Sequence, residues 1–160
     1  LFALSTQGGM VQFLTLILAA ATIQARLVCN LIDGMVAIEG GKGAKDGPFW
    51  NEAPDRASDV LFLTGAGLAA GQPELGLLAA ALAIATAYIR ELGRAEGFAP
   101  DFSGPLAKPQ RMAVLTAGTV LAALYATHWT LTVTLWIIVI GTAATVVRRS
   151  WTLIERLKAR

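Results

Sequence analysis

The 160-residue chain has one cysteine, Cys29, and one histidine, His128. That scarcity leaves nothing from which to build a Cys/His zinc or iron centre. Charge is scarce as well: 15% of residues are charged, against 55% hydrophobic, with a mean hydropathy of +0.59. A soluble domain carries about 25% charged residues, so the balance points to a membrane protein. No low-complexity tract and no internal repeat stand out. No nucleic-acid module accompanies the sequence pI of about 9.0, which argues against nucleic acid as a partner.

What the chain has in quantity is apolar runs, over residues 10–28, 60–70, 75–89, 112–126 and 131–147. At about 1.5 Å of rise per residue, the first and last approach the roughly 30 Å hydrocarbon thickness. Residues 55–71, 75–91 and 111–127 reach the short end of the spanning range with their flanks included. The expected fold is therefore an all-alpha integral membrane bundle with five transmembrane helices, forming a single domain over residues 1–160. Gly-rich and Ala-rich stretches at 65–71 and 77–87 favour close helix packing.

If the helices alternate in direction, the turns at 71–74 and 127–130 share one side, and neither contains Lys or Arg. Every basic residue then falls in or beside segments of the other side, a strong positive-inside asymmetry. The expected location is the bacterial cytoplasmic membrane, with the polar segment from Asn30 to Asp59 facing the cytoplasm. The chain opens without Met, and residues 1–9 are too short to span. The expectation is one preceding helix and six in all, with a cleaved signal peptide as the competing explanation.

That polar segment places acids beside spanning runs, where an unpaired charge is costly. Asn30 and Asp33 lie three positions apart, and Asn51, Asp55 and Asp59 recur every four, so each set shares one helix face. Pro54 suits a helix start, which would put Asp55 near an amino terminus. Bringing the two faces together concentrates carboxylates that repel one another unless a cation offsets them. Oxygen donors of this kind suit magnesium, manganese or calcium. The competing reading makes the acids helix caps or ion-pair partners of Arg26 and Arg56.

The two halves read Asn30-Leu31-Ile32-Asp33-Gly34-Met35-Val36-Ala37-Ile38 and Asn51-Glu52-Ala53-Pro54-Asp55-Arg56-Ala57-Ser58-Asp59. This pattern resembles the CDP-alcohol phosphotransferase family, whose signature is Asp-x2-Asp-Gly-x2-Ala-Arg followed by Gly-x3-Asp-x3-Asp. Spacing within each half is kept, and the helix pattern matches five of the family's six, so the likeness covers nearly the whole chain. Asn30 stands in place of the first aspartate, Ile38 in place of the arginine, and Asn51 in place of the later glycine. The interval between the halves is a little longer than the family's.

The resemblance implies transfer of a substituted phosphate from a CDP-linked donor, such as CDP-diacylglycerol, to an acceptor alcohol with release of CMP, in phospholipid biosynthesis. It implies Asn30, Asp33, Asp55 and Asp59 as ligands for one or two Mg2+ or Mn2+ ions. Asp59, Asp55 and Asp33 become the catalytic set, with Asp59 as base, and Gly34 and Ala37 leave room for the nucleotide. Ile38 cannot bind phosphate as the family's arginine does. Arg26 and Arg56, about one turn from site residues, are candidates to do so in its stead. Lys108 and Arg111, with Arg90 and Arg94 beside them, are candidates for an acceptor phosphate or a lipid headgroup. The partners are a CDP-linked lipid or alcohol, a small alcohol or phosphorylated alcohol, and membrane lipid. A homodimer is compatible with the family. The alternatives are a catalytically weakened CDP-lipid-binding or auxiliary membrane protein and, third, a cation-coupled transporter.

Overall fold

The computed structural model describes residues 1–39, 46–125 and 128–160, with the side chains of 33–39, 48, 51 and 128 outside the description. A short 3-10 helix, Phe2–Gln7, precedes five α-helices: α1 (Gly9–Glu39), α2 (Gly47–Ala69), α3 (Pro73–Ala95), α4 (Lys108–Tyr125) and α5 (His128–Lys158). No strand occurs among the described residues. The molecule is a helical bundle, as its apolar periodicity requires.

Three of the helices are long and apolar enough to cross a membrane: Gly9–Ile32 within α1, Pro73–Ala95 and Trp129–Lys158. The expected spans in α2 and α4 fall short of that standard. α2 carries Glu52, Asp55, Arg56 and Asp59, and α4 has 18 residues that begin with Lys108 and include Arg111. Large apolar side chains cover the outside of the bundle, among them Leu61, Leu124, Trp129, Ile140 and Val147. Such an exterior suits lipid. Trp129, Trp136 and Cys29 are exposed.

The core is built from Leu16 and Ile23 of α1, Leu63 of α2, Leu115 of α4 and Leu135 and Ile138 of α5. α3 enters it with alanines, Ala79, Ala80 and Ala83. These small side chains let α2 and α3 touch backbone to backbone. A Cβ added at Gly67 would lie 2.7 Å from the Gly76 Cα, so neither glycine tolerates a larger residue without movement.

The α2–α3 turn stops the helix with a Schellman arrangement. Gln72 N–H donates to the Gly67 carbonyl at 2.8 Å and Gly71 N–H to the Leu68 carbonyl at 3.1 Å. Gly71 takes φ +69°, which glycine reaches without a Cβ penalty.

The start of α2 differs from the expectation. The helix begins at Gly47, with Pro48 in its first turn, and Pro54 lies inside it. Asp55 is therefore about two turns into the helix, and Asp59 about one turn further. α1 likewise continues past its apolar run to Glu39. Both helices extend the polar segment beyond the apolar body.

Candidate functional site: a buried charge network at one end of the bundle

The site gathers where α1 ends, α2 begins, α3 ends, α4 begins and α5 nears its end. Asp55 and Asp59 are 5% and 1% exposed, deep enough that each needs a partner. Asp55 pairs with Arg26 of α1 and Lys108 of α4, and more loosely with Arg56 at 3.6 Å. Asn30 adds its amide, with Nδ2 donating to Asp55 Oδ2 at 3.1 Å. Asp59 accepts a hydrogen bond from Arg111 Nη2 at 2.7 Å and has Arg56 Nη1 at 3.8 Å.

These contacts tie α1 and α4 to α2. Arg26 is further fixed by Nε donating to Ser58 Oγ at 3.2 Å, while Ser58 Oγ donates to the Pro54 carbonyl at 2.7 Å. The serine thereby turns a hydroxyl from the Pro54 turn toward the guanidinium. On the far side, Arg90 pairs with Glu52 at 2.5 Å and Glu91 at 2.9 Å, and stacks over Phe102.

A cavity of about 540 Å³ opens among these groups. Its lining includes Asn30, Asp55, Arg90, Lys108, Arg111 and Arg149. Five basic side chains face it (Arg56, Arg90, Lys108, Arg111 and Arg149) against two acids, Glu52 and Asp55. Arg111 is 1% exposed, and its Nε and Nη1 have no hydrogen-bond partner among the described residues. Burial pushes the Lys108 ammonium down to about 8; Asp59 and Glu52 oppose this, while Arg26 and Arg56 add to it. Cations crowd the cavity, and an anionic ligand would relieve the crowding.

One wall rests on the α3–α4 connection, which α5 holds in place. Leu106 N–H donates to Thr145 Oγ1 at 3.1 Å, and the Leu106 side chain fills the space over Gly141, where a Cβ would come within 1.9 Å of it. Arg149 Nε donates to the Ser103 carbonyl at 2.8 Å and Nη1 to the Thr86 carbonyl at 3.0 Å. Burial raises the Asp101 carboxyl, but hydrogen bonds from Ser103 and the nearby Arg149 outweigh it and hold the group below its ordinary value.

The structure thus brings together Asn30, Asp55, Asp59, Arg26, Arg56, Lys108 and Arg111. Asp33, Gly34 and Ala37 lie in α1, with their side-chain environment outside the described residues. Arg94 does not join the cavity; its side chain is 56% exposed and pairs with Glu91 at 3.6 Å. Sequence reasoning missed Arg149, which it placed only among the basic residues of the charged side. A signal was present, because Leu135, Ile138, Thr142, Thr145 and Arg149 recur every three or four residues and are all buried.

Among the described residues no three Asp, Glu, His or Cys side chains converge as a metal site would require. The described oxygens that a divalent ion would need are in use. Side-chain cations take Asp55 and Asp59, and Asn30 offers Asp55 a donor rather than joining it as a second acceptor. As arranged, the described side chains leave a divalent cation few free oxygens, and the side chain of Asp33, the remaining expected ligand, lies outside the described residues. No protein-family model matches the chain, and no curated protein sequence matches it.

Proposed function

We propose that the chain is a membrane-embedded transferase that moves a substituted phosphate from a CDP-linked donor, such as CDP-diacylglycerol, to an acceptor alcohol. The observation that carries this reading is the meeting of the two signature halves. Asn30 of α1 touches Asp55 of α2, with Asp59 one turn deeper, at a basic cavity large enough for a nucleotide headgroup. In this reading all five helices lie in the bacterial cytoplasmic membrane, and the cavity faces the cytoplasm.

The chemistry follows from the charges. The acceptor oxygen attacks the phosphorus that carries the lipid, the bond from that phosphorus to the CMP oxygen breaks, and the hydroxyl proton passes to a carboxylate. Asp59 is the candidate acceptor for that proton, and its bond to Arg111 fixes where the carboxylate stands. Lys108 and Arg111, which line the cavity, offset charge on the diphosphate and the departing CMP, and Arg26 holds Asp55 from behind. Arg90 and Arg149 line the remaining wall. Arg149 hydrogen-bonds main-chain carbonyls and lies near the Asp101 carboxylate, and it stands in the cavity wall where a phosphorylated acceptor could meet it.

A second reading, a CDP-lipid-binding relative without turnover, is favoured by one observation: the cations that hold Asp55 and Asp59 also restrain them. The deciding experiment measures CMP release from CDP-diacylglycerol in membranes, with polyol acceptors bearing or lacking a phosphate. Release that is lost in Asp59→Asn supports the transferase. CDP-diacylglycerol binding without CMP release from any acceptor supports the binding protein. Ion flux across sealed vesicles would favour the transporter instead.

A further inference from the structure

We infer that Arg26, Lys108 and Arg111 occupy the place of a divalent ion in this site, so that the chain binds its diphosphate ligand without magnesium or manganese. The inference rests on the reading above only for the identity of the ligand; the state of Asp55 and Asp59 is argued from their contacts.

Asp55 faces cations from two helices besides its own. Arg26 reaches Oδ1 from α1 and Lys108 reaches Oδ2 from α4, with the Asn30 amide also on Oδ2. Both carboxylate oxygens are thereby engaged by donors. A divalent ion entering here would displace at least one of these groups and would sit among positive charges within a few ångströms, in a buried setting where screening is weak. The residue at position 30 fits this arrangement. An aspartate there would add a carboxylate facing Asp55 and favour a metal, whereas asparagine supplies N–H donors and no charge.

Asp59 tells the same story one turn deeper. Arg111, itself 1% exposed, spends Nη2 on Asp59 and keeps Nε and Nη1 without partners among the described residues. Arg111 lines the cavity together with Lys108. Buried guanidinium nitrogens without partners are costly, and an oxyanion seated in the cavity would satisfy them. Lys108 and Arg111 therefore serve two roles, neutralising the carboxylates and presenting their remaining donors to the ligand, while Arg26, outside the cavity lining, serves the first. A divalent metal in a diphosphate site would supply the same positive charge.

The test uses the full chain in lipid nanodiscs, stripped with EDTA, with two independent titrations. In the first, CDP is the probe and calorimetry reads its affinity in EDTA and in excess magnesium. The expected affinities agree within about threefold, while Lys108→Gln and Arg111→Gln each weaken CDP by about tenfold or more, the effect typical of removing one charge-assisted hydrogen bond. Lys108→Arg retains binding and controls for folding, together with the melting temperature of each variant. In the second titration Mn2+ is the probe and electron paramagnetic resonance counts bound ions. The expected result is no bound ion that disappears in Asp55→Asn. The inference is overturned if EDTA abolishes CDP binding and Mn2+ restores it, or if a stoichiometric Mn2+ site is lost in Asp55→Asn. Failure of CDP to bind in either condition sinks the nucleotide reading instead, and the Mn2+ titration still decides the cation question.

Discussion

The two ends of the bundle are built on opposite terms. At one end α2 and α3 close to backbone contact through Gly67 and Gly76, sealed by the turn at Gly71. At the other, five helices converge on buried charges and a cavity of about 540 Å³. The tight end lowers its energy by excluding everything between the helices. The open end keeps charged side chains out of water and must pair them. Close packing at the first end fixes where the helices diverge, and the ion pairs at the second set how far apart they stand.

Breaking the open end at its deepest point should have the largest effect. Arg111→Met leaves Asp59 with only the more distant Arg56, and Asp59→Asn leaves Arg111 without its carboxylate. Each should cost about 3–5 kcal/mol of stability, read by unfolding in mixed micelles. The double variant should recover part of that stability, because no lone charge stays buried. An additive double variant would mean the pair is not the unit of stability at this end.

The tight end should yield next. Gly67→Ala must move α2 away from α3, and overpacking of this kind costs about 1–3 kcal/mol. CDP binding by the molecules that stay folded should change little, which would separate the two ends experimentally. A parallel fall in binding would show the ends to be coupled.

Gly141→Ala tests the strut between them. The added methyl collides with Cδ1 of Leu106 and also crowds its Cγ, so this buried side chain must shift, at about 1–2 kcal/mol. Its main readout is faster proteolysis of the 96–107 connection together with weaker ligand binding. The smallest effect is expected at Glu52→Gln, where the partly exposed pair with Arg90 is worth under about 1 kcal/mol. This variant should bind an anionic ligand more tightly, because it removes one of the two acids lining the cavity.

The helices are legible in the sequence to different degrees, for physical reasons. α1, α3 and α5 announce themselves because a long apolar run with few charges has no other stable form in a bilayer. The start of α2 is easily misplaced because Pro54 carries the same local signal as a true first-turn proline. Pro48 is the one in the first turn, and the chain tolerates Pro54 inside the helix. The spacing of Asp55 and Asp59 puts them on one face of α2, whereas the meeting of Asn30 of α1 with Asp55 is a matter of helix packing. Whether those acids meet a metal or a guanidinium is not a property of spacing. Lys108 and Arg111 lie more than fifty positions from Asp55, and Arg149 further still.

Read along the chain, hydropathy suffices for an all-helical molecule with three helices long and apolar enough to cross a membrane, because it acts locally. That Arg26, Lys108 and Arg111 reach Asp55 and Asp59, and that Arg149 lines the same cavity, follows from the folded bundle alone. Those contacts depend on which helices are neighbours and how closely they approach. Side chains of α1 and α4 come within ion-pair reach of α2 only once the bundle has formed.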